Sequence, residues 1–308
     1  MNKLFTELKD NNYQITSIKY LEENIVIICH EKKYLLIKKE NYNEETIEYL
    51  NSIGCDYYLP IIQELSDYYL CNYYESDNNV RYLVLALADI HLKSIKTVNY
   101  QNKESFFNNK VKEIDNLMNY YLNLQDYIEE MYYTRKDYYE MIINISKVYN
   151  ILRTSRYFLD KWNDSNSIEY REVFLIGNID LKNFVHNDKS YFLNLKNTSK
   201  GNLIKDIVLL YKFFDNDDIY ELFELYNNKI KLTEEELYLF LSSICLLPMI
   251  KFSNNVNYNL GMIKRFYEYI DKTMTFVLEK DKKYQEANEE IFKQENNNIK
   301  FSSDKNKN

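Results

Sequence analysis

Apolar and polar positions divide the chain into a strand-patterned opening and a helix-patterned remainder. The runs ITSIKYL (15–21), NIVIICH (24–30) and KYLLIKK (33–39) are rich in β-branched and aromatic residues and are separated by short polar turns. They predict a small antiparallel meander. A short helix over 1–12 precedes it. NEETIEYLNSIG (43–54) predicts a helix with Gly54 at its C-terminal end. YLPIIQELS (58–66) and YYLCNYYE (68–75) predict two further strands.

From about residue 80 the apolar spacing lengthens to the helical period. Leu83, Leu87 and Ile90 share one face of 80–94. Val111, Ile114, Met118, Tyr121 and Leu122 repeat that period, as do Ile142, Ile145, Val148, Tyr149 and Leu152. A hairpin is predicted over 173–197, with helices over 204–214, 218–227, 233–247 and 257–280. Thr233 and Glu236 in LTEEEL form a capping-box signature. Past 293 the chain is polar, rich in Asn and Lys, and reads as a disordered tail.

Composition narrows the choices. The 308 residues, 45% of them hydrophobic, suffice for one large domain or two lobes with a proper core. Four Gly and two Pro argue for a helix-rich fold and against Gly-dependent phosphate loops. The 32 tyrosines, with abundant Asn, Lys and Ile, follow from AT-rich codons and are not read as a stacking platform. A net charge of −8 without a basic cluster argues against nucleic acid. Cys29, Cys55, Cys71 and Cys245 lie far apart in hydrophobic contexts, with no CxxC pair, and read as reduced, buried cysteines. His30, His91 and His186 show no metal-ligand spacing. The opening MNKLFTELKDNN has no apolar signal segment. No run approaches the roughly 18 apolar residues of a membrane span.

The densest polar signal lies in the hairpin. FLIGNIDLKNFV (174–185) is followed by YFLNLKN (191–197), and Gly177 and Asn183 stand six apart between two strand-like runs. This layout resembles that of small-molecule kinases of the aminoglycoside and choline phosphotransferase type. They carry His-Gly-Asp, four residues, Asn, and a second Asp after a short hairpin. There the first Asp positions and deprotonates the attacking hydroxyl, while the Asn and second Asp hold magnesium. On that layout Ile176 stands for His, Asn178 for the first Asp, Asn183 for Asn and Asn194 for the second Asp. An amide brings no charge to a metal and is not a base near neutral pH. Asp180 is another candidate base, although it stands three residues before Asn183 and not five. Gly177, Asn178 and Asn183 can also be read as ordinary turn residues.

Further segments widen the likeness: KKYLLIK, LALADIHLKS, LIKDIVLLYKFF and YNNKIKLTEEELYLFLSSICLLPMIKF. With the hairpin, and over roughly residues 15–285, they resemble the spore coat protein S (CotS) family, a degenerate branch of the aminoglycoside/choline phosphotransferase-like kinases. The resemblance implies that Lys38 matches the lysine of the α- and β-phosphates, with Glu44 or Glu45 as its helix partner. It implies that Asn183 matches the metal-holding Asn and that Asp206 tethers the catalytic hairpin, or else caps a helix. The turn YLEEN (20–24) departs from the pattern, with no Gly and with Glu22 and Glu23 where triphosphate would sit. Carboxylates there repel anions.

The expectation is an α+β, bilobal protein-kinase-like (aminoglycoside phosphotransferase-like) fold. It has a five-stranded antiparallel N-terminal lobe (1–75), a mostly helical C-terminal lobe (76–293) and a disordered tail (294–308). The resemblance implies a catalytically inactive kinase-like protein, a binding or scaffold component of spore coat assembly. It would be made in the cytoplasm and then join other spore coat proteins in the coat. Asn178 and Asn194 are its degenerate catalytic positions, Lys38 and Asn183 its vestigial nucleotide contacts. No metal and no cofactor are expected, with weak ATP and magnesium binding left open. No nucleic-acid partner and no membrane span are expected. The alternatives are a divergent ATP-dependent small-molecule phosphotransferase with Asp180 as base and a nucleotide-sensing pseudokinase using Lys38 and Asn183. An unrelated α+β interaction protein is the remaining choice.

Overall fold

Five antiparallel strands pair in the order β1-β2-β3-β5-β4 in the computed structural model, which describes residues 2–21, 24–75, 77, 79–131, 135–165, 167–213 and 219–304. They are β1 (Ile15–Leu21), β2 (Asn24–Cys29), β3 (Lys32–Lys38), β4 (Ile61–Glu64) and β5 (Tyr68–Asn72). β1 and β2 stay paired as far as Leu21 and Asn24. Glu22 and Glu23, which join them in sequence, lie outside the described residues. β4 starts later than the pattern predicts because Pro60 has no N–H for a ladder.

Helix α1 (Asn2–Asp10) closes one face of the sheet, packing Leu4 and Leu8 against Ile25, Ile27, Leu36 and Leu70. The other face is covered as well, so Leu35, Leu36 and Ile37 of β3 are all 4% exposed or less. Helix α2 (Glu44–Ser52) follows β3, its first turn capped by the Asn43 side chain, which accepts from the Glu45 N–H. Gly54 lies just past its end with φ +69°, a left-handed position suited to glycine.

Beyond α3 (Val80–Ser94) come two strands that the apolar pattern does not predict. β6 (Lys96–Asn99) and β10 (Ser199–Asn202) flank β7 (Glu169–Leu175) in a second sheet. β8 (Phe184–His186) and β9 (Ser190–Phe192) form the expected hairpin. α7 (Ile204–Phe213) and α8 (Ile219–Lys229) follow it. Together these elements make one compact unit, residues 1–101 and 166–236. The expected N-terminal lobe lies whole within it, whereas the expected 76–293 lobe is shared between two units.

Tyr42 fastens the sheet to the hairpin. Its ring is buried, its O–H donates to the Phe192 carbonyl at 2.6 Å, and its oxygen accepts from the Leu59 N–H at 3.1 Å. The Phe192 N–H donates to the Tyr57 carbonyl at 2.8 Å, and the Leu195 N–H to the Asn41 carbonyl at 2.8 Å. Burial pushes the Tyr42 phenol far above its ordinary range, so it stays a neutral donor.

The second unit, residues 102–165 and 237–308, holds α4 (Lys103–Glu130), α5 (Lys136–Ile142), α6 (Ile145–Asp164) and α10 (Val256–Asp304). α6 packs against α4 and α10, burying Phe158 and Trp162. α9 (Glu234–Ile244) bridges the division in sequence. It starts on the predicted capping box: the Glu236 N–H donates to Thr233 Oγ1 and the Thr233 N–H to Glu236 Oε2. The tail expected to be disordered from 294 is helical as far as Asp304. Lys, Glu and Gln are good helix formers, and extending an existing helix needs no new nucleus. All four cysteines are free and buried. Among the described residues no helix is long and apolar enough to cross a membrane.

Candidate active-site cleft

The loop after β7 is held by a buried carboxylate. Asp206, in the first turn of α7, is fully buried and accepts from the Ile176 N–H at 2.7 Å and the Gly177 N–H at 3.0 Å. His91 Nε2 lies 3.3 Å from the same carboxylate, and His91 Nδ1 lies 2.6 Å from the Tyr226 hydroxyl. A carboxylate only accepts, so Nε2–H donates to Asp206 and the Tyr226 O–H donates to Nδ1. Burial raises the Tyr226 phenol well above its ordinary range, and the nearby Asp206 charge adds to this. Asp206 thus performs the tethering that the resemblance implies. Gly177 is required here for two reasons. Its φ is +68°, and a Cβ would stand 2.5 Å from the Asn197 carbonyl oxygen.

Between this loop and the inner face of the sheet lies a cleft of ≈ 850 Å³. Asn178, Asp180 and Asn183 line it from the loop, Leu35 and Asn24 from the sheet, and Tyr73, Tyr74 and Glu75 from the segment after β5. Asn178 and Asn183 are therefore brought together. Asn194 is buried next to Leu193, which lines the cleft and whose N–H donates to the Asn183 carbonyl at 2.7 Å; the Asn194 Oδ1 accepts from the Lys196 N–H at 3.0 Å.

Lys38 is not among the residues lining the cleft. Side chains alternate along β3: Leu35 lines the cleft and Leu36 packs on α1. Lys38, two residues past Leu36, therefore lies on the α1 side, and its Nζ is 3.6 Å from Glu40 Oε1. Ile37 takes the cleft side and is fully buried. The ion-pair partner of Lys38 is thus Glu40, in place of the expected Glu44 or Glu45. The buried residue of that helix turn is Thr46, whose Oγ1 is 3.1 Å from Thr198 Oγ1. Lys38→Ala is expected to change the urea-unfolding free energy by less than about 0.5 kcal/mol, as befits a solvent-exposed pair. A loss well beyond that would mean a buried partner.

Asp180 lines the cleft while capping the short 3-10 turn Leu181–Asn183: its Oδ1 accepts from the Lys182 N–H at 2.9 Å. Asn24 was invisible in an otherwise apolar run. It is 7% exposed, and its Oδ1 has no hydrogen-bond partner. Among the described residues no group of three or more His, Cys, Asp or Glu is placed to hold a metal ion.

No protein-family model matches the chain, and no curated protein matches it in sequence. Solved structures do match. An aminoglycoside phosphotransferase from Alicyclobacillus acidocaldarius aligns with TM-score 0.64 at 8% identity, over 90% of this chain and 95% of its own. The fold is aminoglycoside phosphotransferase-like. A spectinomycin phosphotransferase solved with ADP and spectinomycin aligns with TM-score 0.50 at 12% identity, over 89% of this chain and 97% of its own. Identities this low speak for architecture, and chemistry has to be argued from the site. On this architecture the cleft carries amides at 178 and 183 and an aliphatic side chain at 35.

Proposed function

We propose that this chain is a catalytically inactive kinase-like protein acting as a binding or scaffold component in spore coat assembly. The observation that carries the inactive reading is the inner face of β3: Leu35 lines the cleft, Ile37 is fully buried, and Lys33, on the same face by alternation, is tied up with Glu75 at 2.7 Å. Asn178 and Asn194 add to it, since neither supplies the charge that a base or a magnesium ligand needs. The magnesium nucleotide implied by the fold does not fit these residues, and the Asn194 Oδ1 is already engaged by the main chain. The spore-coat assignment rests on the segments resembling the spore coat protein S family.

Purified protein with ATP and magnesium is expected to show no phosphoryl transfer to sugars, amino alcohols or itself above the uncatalysed background. Magnesium-dependent turnover would overturn the reading. One observation favours a divergent phosphotransferase instead: the Asp180 carboxylate lines the same cleft as Asn178 and Asn183. That reading requires turnover that disappears in Asp180→Asn and survives Asn178→Ala. For the biological half, deleting the gene in the native host is expected to alter spore coat composition or layering and to leave vegetative growth unchanged. A growth defect, or expression confined to vegetative cells, would remove the spore assignment.

A further inference from the structure

The outward face of α3 walls a second cavity, of ≈ 300 Å³, and we infer that it binds a small organic carboxylate with an aromatic or branched apolar body. None of the residues lining it lines the cleft, so the inference goes beyond the inactive-kinase reading and does not depend on it. Leu83, Leu87 and Ile90 turn one face of α3 into the core. Tyr82, Leu85, Asp89 and Leu92 recur at the helical spacing on another face and meet the cavity. Tyr82 is 38% and Leu92 49% exposed, apolar surface that a ligand body would cover. The Tyr82 ring is already held, stacked on His186 with centroids 3.5 Å apart, and Ser190 Oγ stands 2.9 Å from His186 Nδ1. That wall is set before a ligand arrives, which lowers the ordering cost of binding. A volume at the lower end for ligand pockets suits one ring or a short branched chain.

The charges choose the head group. Asp89 and Lys229 are the ionic side chains lining the cavity. Asp89 is already engaged: its Oδ2 accepts from the Tyr57 O–H at 2.9 Å and lies 2.8 Å from Lys93 Nζ. Tyr57 stays a neutral donor there, since burial and then its bond to Asp89 push the phenol above its ordinary range. Asp56, whose charge also reaches Tyr57, is paired with Lys189 at 3.0 Å. Lys229, exposed in the last turn of α8, is left without an ion pair among the described residues. A carboxylate gives this ammonium a partner while its body covers Leu85, Leu92 and the Tyr82 ring. Inorganic phosphate would gain the same cation and leave the apolar wall bare. An ammonium compound would meet Lys229 and find Asp89 taken. An exposed ion pair is weak by itself, so the apolar body supplies the affinity and the ammonium selects among bodies.

Hydrocinnamate is the probe, titrated at low salt into the isotope-labelled full chain and followed by amide chemical shifts. Saturable shifts are expected along α3, at β9 and at the end of α8, and not at Asn178 or Asn183. Hydrocinnamamide, the same body without the charge, should bind about fivefold more weakly, and acetate and inorganic phosphate should not saturate. Lys229→Met keeps the stem and removes the charge, so it should bring the acid down to the affinity of the amide. Leu92→Ser, at an exposed position that does not threaten folding, should weaken acid and amide by a similar factor. Lys251→Met, an exposed lysine outside the cavity, should change nothing. The inference is overturned if the shifts do not saturate, if they centre on Asn178 and Asn183, if the amide binds as tightly as the acid, or if Lys229→Met and Leu92→Ser both bind as the parent does. None of those outcomes touches the inactive-kinase reading, which stands or falls on turnover of Mg-ATP.

Discussion

Asp206→Ala is expected to lower folding stability by about 3–5 kcal/mol, read from urea unfolding. The carboxylate is fully buried and accepts from two main-chain N–H groups and from His91. Its removal orphans both N–H groups and the imidazole donor in a place water does not reach. Asp206→Asn should recover only part of the loss, because its NH₂ would face donors. Tyr226→Phe should cost less, about 1–2 kcal/mol, since it orphans a single ring nitrogen. If Asp206→Ala lost under about 1 kcal/mol, water would be replacing the carboxylate and the anchor would not be structural.

Gly177→Ala is expected to cost about 2–4 kcal/mol, combining a left-handed backbone penalty with overpacking. The overlap is with the main-chain oxygen of Asn197, which cannot swing aside as a long side chain can. Gly54→Ala separates the two contributions. It shares a positive φ, but nothing lies within 4 Å of an added Cβ, so it should cost only about 1–2 kcal/mol. Equal losses at the two sites would mean that the Asn197 carbonyl moves freely and the loop is not pinned there.

The sheet order and most helices could be read from the chain because periodicity reports burial on one face. β6 and β10 could not: each has four residues, largely exposed and polar, held only by β7 between them. The failure at β3 has a different cause. Covered on both faces, its run Tyr34-Leu35-Leu36-Ile37 does not alternate, so nothing in it tells which side Lys38 takes. The loop residues Asn178 and Asn183 were found by spacing, since six residues of hairpin entry can be counted. The His91–Tyr226 contact joins positions 135 residues apart and leaves no local trace. Asn24 was missed for a similar reason. What distinguishes it is the lack of a partner, and a missing partner is a property of three dimensions.

Tyr42 grips main chain on both sides, a carbonyl at Phe192 and an N–H at Leu59. A bond to main chain is blind to the letter written at that position. Mutational drift at 59 or 192 is therefore screened by volume and hydrophobicity alone, while the joint itself depends on one tyrosine. Heritable change can pass through the neighbouring loops, acid to amide included, without unfastening the two halves of this unit. A lineage that lost its chemistry would keep its shape and remain available for selection on its surface.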